Sequence, residues 1–150
     1  MVMNSRFPVA VHILTSLAYH PDAANSSTTL AKSVGTNPVV IRRLVSRLHR
    51  AGLVEARPGK DGGVELARRP ETITLMDVYR AVEAGSPFIV PDKPENKACA
   101  VSCAMKRLLA SVLADTERAI SRSLDKVRLS DLVKEIEKSA GGSPVRNAAR

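Results

Sequence analysis

Four residues, Gly35-Thr36-Asn37-Pro38, restrict the fold of this chain more than any others. A glycine closing one apolar-periodic run and an Asn-Pro pair opening the next describe a helix end, a tight turn and a new helix start. The run before the turn begins at the hydroxyls Ser27, Thr28 and Thr29, with Ser27 or Thr28 as its cap, and turns Leu30, Ala31 and Val34 inward. The run after it spans about 38–51 and sets Ile41, Leu44, Val45 and Leu48 on one stripe. Two short helices joined this tightly form a helix-turn-helix.

The other face of the second helix carries the chemistry. At about 100° per residue, Val39, Arg42, Arg43, Ser46 and Arg50 fall opposite the inward stripe, with Arg47 at the edge. Residues 36–69 hold eight lysines and arginines against three acids, in a chain of net charge +8. Residues 104–150 are also basic, ten against six, but less densely. A concentrated positive block is the footprint of a polyanion partner. Aromatic residues make up only 3% of the chain and tryptophan is absent, which weighs against a single-strand or RNA binder built on stacking platforms. Double-stranded DNA is the better partner. Arg42 and Arg43 could reach guanine edges or phosphates, Val39 a thymine methyl, and Asn37 and Pro38 would start the reading helix. Arg47 and Arg50 lie further along and suit phosphates. The plainer reading is a solvated basic face, and charge alone does not separate the two.

Next come two short alternating runs, 53–56 and 64–67, around Arg57-Pro58-Gly59-Lys60-Asp61-Gly62-Gly63. That is a β-hairpin, and after a helix-turn-helix it is a wing. Its tip offers Arg57 and Lys60 to a minor groove, with Gly62 allowing close approach. The hydroxyls at 27–29 could hold a phosphate at a helix N-terminus.

The flanks complete the domain. Residues 6–20 make a first helix with Phe7, Ala10, Val11, Leu14, Leu17 and Ala18 on one stripe, and Thr74-Leu75-Met76-Asp77 is a capping box opening a helix to about 84. Residues 86–98 contain three prolines and form a loop. A long run from about 100 to 127 carries Val101, Met105, Leu108, Leu109, Val112, Leu113, Ile120 and Leu124, a seam that wants a partner helix. Ser130 is read as the cap of a last helix, 131–139, before a tail. The expected fold is mainly α with a small β-hairpin wing. A winged helix-turn-helix occupies 1–84, a loop with the cysteine pair 85–103, a dimerisation helix and short terminal helix 104–140, and a tail 141–150.

Cys99 and Cys103 are too few for a disulfide-stapled secreted domain, and neither a signal peptide nor a membrane-length apolar run is read, so a cytoplasmic bacterial protein is expected. The pair admits a redox switch, an intersubunit disulfide, a metal or cluster site with His12 of a partner's first helix as a further donor, or two inert residues. No phosphate-binding loop, nucleophile elbow or zinc-protease motif is present, and no enzyme is expected.

Several of these stretches occur in a family order. Phe7-Pro8-Val9-Ala10-Val11-His12-Ile13-Leu14 opens the chain, and Thr36-Asn37-Pro38-Val39-Val40-Ile41-Arg42-Arg43-Leu44 leads into Leu48-His49-Arg50-Ala51-Gly52-Leu53-Val54. Gly59-Lys60-Asp61-Gly62-Gly63, Leu66-Ala67-Arg68 and Ile73 to Glu83 follow. Over residues 4–130 the chain resembles the Rrf2 family of bacterial winged-helix transcription regulators. The resemblance implies a homodimer joined by the long helix, bound to an inverted-repeat operator in double-stranded DNA. Some members carry an iron–sulfur cluster on three cysteines. With two, this chain looks like the cluster-free branch, and no cofactor is expected. The function expected is a dimeric regulator, read as a repressor, tuned by a redox or small-molecule signal near Cys99 and Cys103. The competing class is a winged-helix protein–protein module, which would need neither Arg42 and Arg43 nor a basic wing.

Overall fold

A computed structural model describes residues 5–83, 85, 87, 88, 90, 92 and 94–141; the tail expected beyond this lies outside the described residues. Helix α1 (Arg6–Tyr19) is the rod on which the domain is built. Ala10, Ile13, Leu14 and Leu17 recur at helical spacing and are buried. The helices α2, α3, α4 and α6 and strand β2, described below, all pack on it.

Helix α2 (Ser27–Val34) is capped by Ser26, one residue earlier than expected, whose Oγ accepts the Thr29 N–H at 3.1 Å. Ser27 and Thr28 therefore lie in its first turn. Gly35 ends it at φ 77°, and the N–H groups of Gly35 and Thr36 both donate to the Ala31 carbonyl. Only glycine takes this left-handed backbone without strain. Helix α3 (Pro38–Arg50) starts on Asn37, whose Oδ1 accepts the Val39 N–H at 2.8 Å. It buries Ile41, Leu44 and Leu48.

Strands β1 (Val54–Arg57) and β2 (Gly63–Leu66) pair antiparallel, Val54 with Leu66 through Arg57 with Gly63. The root of this hairpin is fixed from behind. The Val64 N–H donates to the Asn25 carbonyl at 3.1 Å, and a Cβ on Gly63 would lie 2.7 Å from that same oxygen. Glycine at 63 is thus a packing requirement.

A 3-10 turn (Pro70–Thr72) leads to helix α4 (Leu75–Val82). Its capping box is complete: the Asp77 N–H donates to Thr74 Oγ1, and the Thr74 N–H to Asp77 Oδ2, both at 3.1 Å. The helix buries Val78 and Val82 and ends at Val82, short of the expected 84. The two rings Phe7 and Tyr79 meet edge to face at 5.6 Å where α1 joins α4.

Helix α5 (Ala100–Asp125) is roughly 39 Å long. It begins where the periodicity places it, so Cys103, grouped above with the loop, lies in its first turn. None of its residues is buried. The chain then returns to the domain. The Leu75 N–H donates to the Val127 carbonyl and the Leu129 N–H to the Ile73 carbonyl, both at 2.9 Å, and Thr74 and Arg128 form an antiparallel bridge. Helix α6 (Leu129–Ser139) follows and packs on α1. Ser130 is not its cap. It is buried in the first turn, while the Asp131 carboxylate accepts the Arg128 N–H at 2.8 Å. Leu129 and Ile73 are fully buried together in the core, each contributing about 1.5–3 kcal/mol of burial. The terminal helix therefore belongs to the winged domain and not to the arm. Among the described residues no helix is long and apolar enough to cross a membrane.

Candidate nucleic-acid interface

The eight cations of residues 36–69 divide into two equal groups. Arg47, Arg57, Arg68 and Arg69 are held by the chain itself. Arg47 Nη1 donates to the Val82 carbonyl at 2.8 Å. Arg57 pairs with Glu65 at 3.4 Å and also donates to the Pro21 carbonyl. Arg68 pairs with Asp77 and Arg69 with Glu71. Arg42, Arg43, Arg50 and Lys60 are exposed and have no ion pair or hydrogen bond among the described residues. All four lie on α3 or at the hairpin tip.

Two of the expected contacts fall in the paired group. Arg57, read as a wing-tip contact, ends β1 and is turned back across the strands. Glu55 and Glu65 stand directly opposite in the hairpin register, and Arg57 relieves that like-charge pair. Arg47, read as a DNA-facing cation, points into the domain. Lys60 is left as the cation of the wing tip. Gly62 shapes that tip: its N–H donates to the Gly59 carbonyl at 3.0 Å, and a Cβ on it would collide with the Arg57 carbonyl.

The start of α3 is the other half of the surface. Asn37 is exposed but its side chain is committed to capping. Pro38 is half-buried, and Val39 and Val40 are exposed, 43% and 39%. Val40 is an addition, since it sits beside the inward stripe where a helical wheel gives it no clear side. Two solvent-facing valines followed by two unpaired arginines form an apolar and hydrogen-bonding edge, the chemistry that distinguishes thymine methyls and guanine edges in a major groove. Thr28 and Thr29 are exposed at the first turn of α2, although Thr29 shares a hydrogen bond with Ser26.

The apolar seam of α5 also divides. Val101, Met105, Leu108, Leu109 and Val112 lie on one side, and Val101, Val112 and Leu108 are 63%, 59% and 56% exposed. Leu113, Ile120 and Leu124 are half-buried and rotated toward the domain. Ile120 lines a groove of about 510 Å³ with Met76 and Tyr79. Burial, with Glu83 and Glu117 nearby, pushes the Tyr79 hydroxyl up.

Cys103 falls on the α5 face roughly opposite the exposed seam, and Cys99 is the N-cap residue just before the helix. Asn96 straps the preceding segment to this face. Its carbonyl accepts the Cys99 N–H at 2.9 Å and the Cys103 thiol at 3.5 Å, and its N–H donates to Ser102 Oγ. Lys106 pairs with Asp92 and holds that carboxyl below its usual range. His12, the candidate third donor, is bonded to Ser33 Oγ at 2.9 Å on the α1–α2 side. Among the described residues no three histidine, cysteine or acidic side chains group to hold a metal. Iron–sulfur clusters take about four protein ligands. Within one chain the two thiols supply half of that number.

A helix-turn-helix, a basic-tipped hairpin and an exposed helical seam define a winged-helix DNA-binding protein. The chain belongs to the Rrf2 family, described as iron-dependent transcriptional regulators, which it matches over residues 3–135. It is 34% identical over 132 residues to YwnA of Bacillus subtilis strain 168, named as an HTH-type transcriptional regulator, covering 88% of this chain and 97% of that one. Its fold is similar to IscR of T. potens, at 24% identity and TM-score 0.71, covering 93% and 90% of the two chains. It is also similar to CymR, the global cysteine regulator of B. subtilis, at 26% identity and TM-score 0.66, covering 90% and 98%. These are regulators and not enzymes.

Proposed function

We propose that this chain works in the cytoplasm as a homodimeric repressor that reads an inverted-repeat operator. The observation that carries this reading is the separation of cations: the four left unpaired in the block all lie on the reading helix and the wing tip. A protein–protein adaptor would not need that arrangement. In the proposed complex the N-terminal half of α3 enters the major groove, with Arg42 and Arg43 on base edges and Val39 and Val40 against thymine methyls. Arg50 and Lys60 grip phosphates or the minor groove, and Thr28 and Thr29 approach a phosphate at the α2 N-terminus. Met105, Leu108, Leu109 and Val112 pair the two chains, which sets the reading helices about 34 Å, or a multiple of it, apart. The reading needs no resident cofactor. A thiol oxidant or small molecule acting on the Asn96 strap would change the entry to α5 and with it the head spacing.

The test is a gel-shift salt series on operator and random duplexes, run for wild type and for Cys99→Ser/Cys103→Ser. Sequence-dependent retention with a steep salt slope is expected, unchanged by the serine substitutions except that sensitivity to oxidant disappears. Equal retention of all duplexes at every salt contradicts the operator reading. An oxidant response that survives the double substitution contradicts the thiol signal.

A further inference from the structure

We infer that Arg47 is a positioning residue that sets the half-site spacing the dimer accepts, and not a DNA contact. Arg47 sits on α3, the helix that carries Arg42, Arg43 and Arg50, yet its Nη1 donates at 2.8 Å to the carbonyl of Val82. Val82 is the last residue of α4 and is fully buried. Carbonyls in the last turn of a helix lack an intrahelical partner, and a cation is favoured there by the helix dipole. The guanidinium is therefore the C-terminal cap of α4, supplied from 35 residues away.

The bond has a consequence for α3. Besides this bond, α3 is held by the aliphatic stripe Ile41, Leu44 and Leu48, which is non-directional, and by His49 Nδ1, 3.1 Å from the Val54 carbonyl, which ties the helix end to the hairpin and not to α4. A directional bond at the edge of that stripe fixes the roll of the helix. It does so against α4, the element that also packs on α5. Reading helix, Arg47, α4 and dimer helix thus form one series of contacts. Loosening its first link lets each reading head settle at a range of distances from its twin. This inference rests on the dimeric operator reading above.

The experiment compares wild type with Arg47→Met, which keeps an apolar stem and removes the donor. Binding is measured across salt on the operator, on operators with one base pair added or removed between half-sites, and on random duplex. The expected result is about a tenfold loss on the native operator, a smaller loss on the altered spacers, and an unchanged salt slope. A phosphate contact would lower the slope by about one and weaken all duplexes alike, and that result overturns the inference. So does an unaltered spacing preference. A second measurement needs no variant. In wild-type protein the Arg47 side-chain N–H resonance should be protected from exchange without DNA and unmoved by operator, while those of Arg42 and Arg43 shift. An Arg47 resonance that moves with them overturns the inference even if Arg47→Met fails to fold. Wild-type protein that binds no operator overturns the function itself, and this inference with it.

Discussion

Arg42→Ala with Arg43→Ala is expected to weaken operator binding about a thousandfold while random DNA loses far less. Each bidentate arginine–guanine contact is worth about 1–3 kcal/mol of discrimination, so the four contacts of a dimer reach about 4 kcal/mol even at the lower figure. The fold has no stake in either side chain. Both are exposed, neither has a partner among the described residues, and alanine is the better helix former. Helical content and melting temperature should therefore stay within the range of ordinary surface substitutions. Fluorescence anisotropy on operator and random duplexes measures the difference. Equal losses on both would reassign the two arginines to phosphates and move sequence reading elsewhere.

The second large effect is at the arm. Leu108→Glu with Val112→Glu puts two like charges per chain into the seam, at two positions that are each more than half exposed in the single chain. The spacing Val101, Met105, Leu108, Val112 follows the 3-and-4 alternation of paired helices, which charged residues at such positions disrupt. The variant is expected to run as a folded monomer by light scattering, since none of the substituted positions contributes to the core. Its operator affinity should fall by about a hundredfold or more, because the second half-site contact is no longer intramolecular. A variant that stays dimeric would move the interface off this seam.

What could be read from the residues alone was local. Gly35, Asn37-Pro38 and the Thr74–Asp77 box act within a few residues of themselves, and each does what its spacing implies. The α2 cap slipped by one because Ser26, Ser27, Thr28 and Thr29 offer four hydroxyls in a row, and only the backbone decides which one faces the Thr29 N–H. The rest was long-range. Nothing near Leu129 says that it will join Ile73, and nothing near Arg47 says that Val82 will end a helix beside it. Periodicity also cannot tell a seam that meets a partner from one that meets its own domain. Leu108 and Ile120 look alike in sequence, yet one is exposed and the other lines a groove with α4. Of the basic block, charge counting found the block. Only the pairing of Arg47, Arg57, Arg68 and Arg69 isolates the four cations of the block that have no partner among the described residues.

The most direct test is methylation protection of guanine N7 on a bound operator, since that atom lies in the major groove where α3 is placed. Two protected patches on one face of the duplex, centred about 10 base pairs apart or a multiple of that, are the predicted result. A single patch, or protection confined to minor-groove adenines, would contradict it.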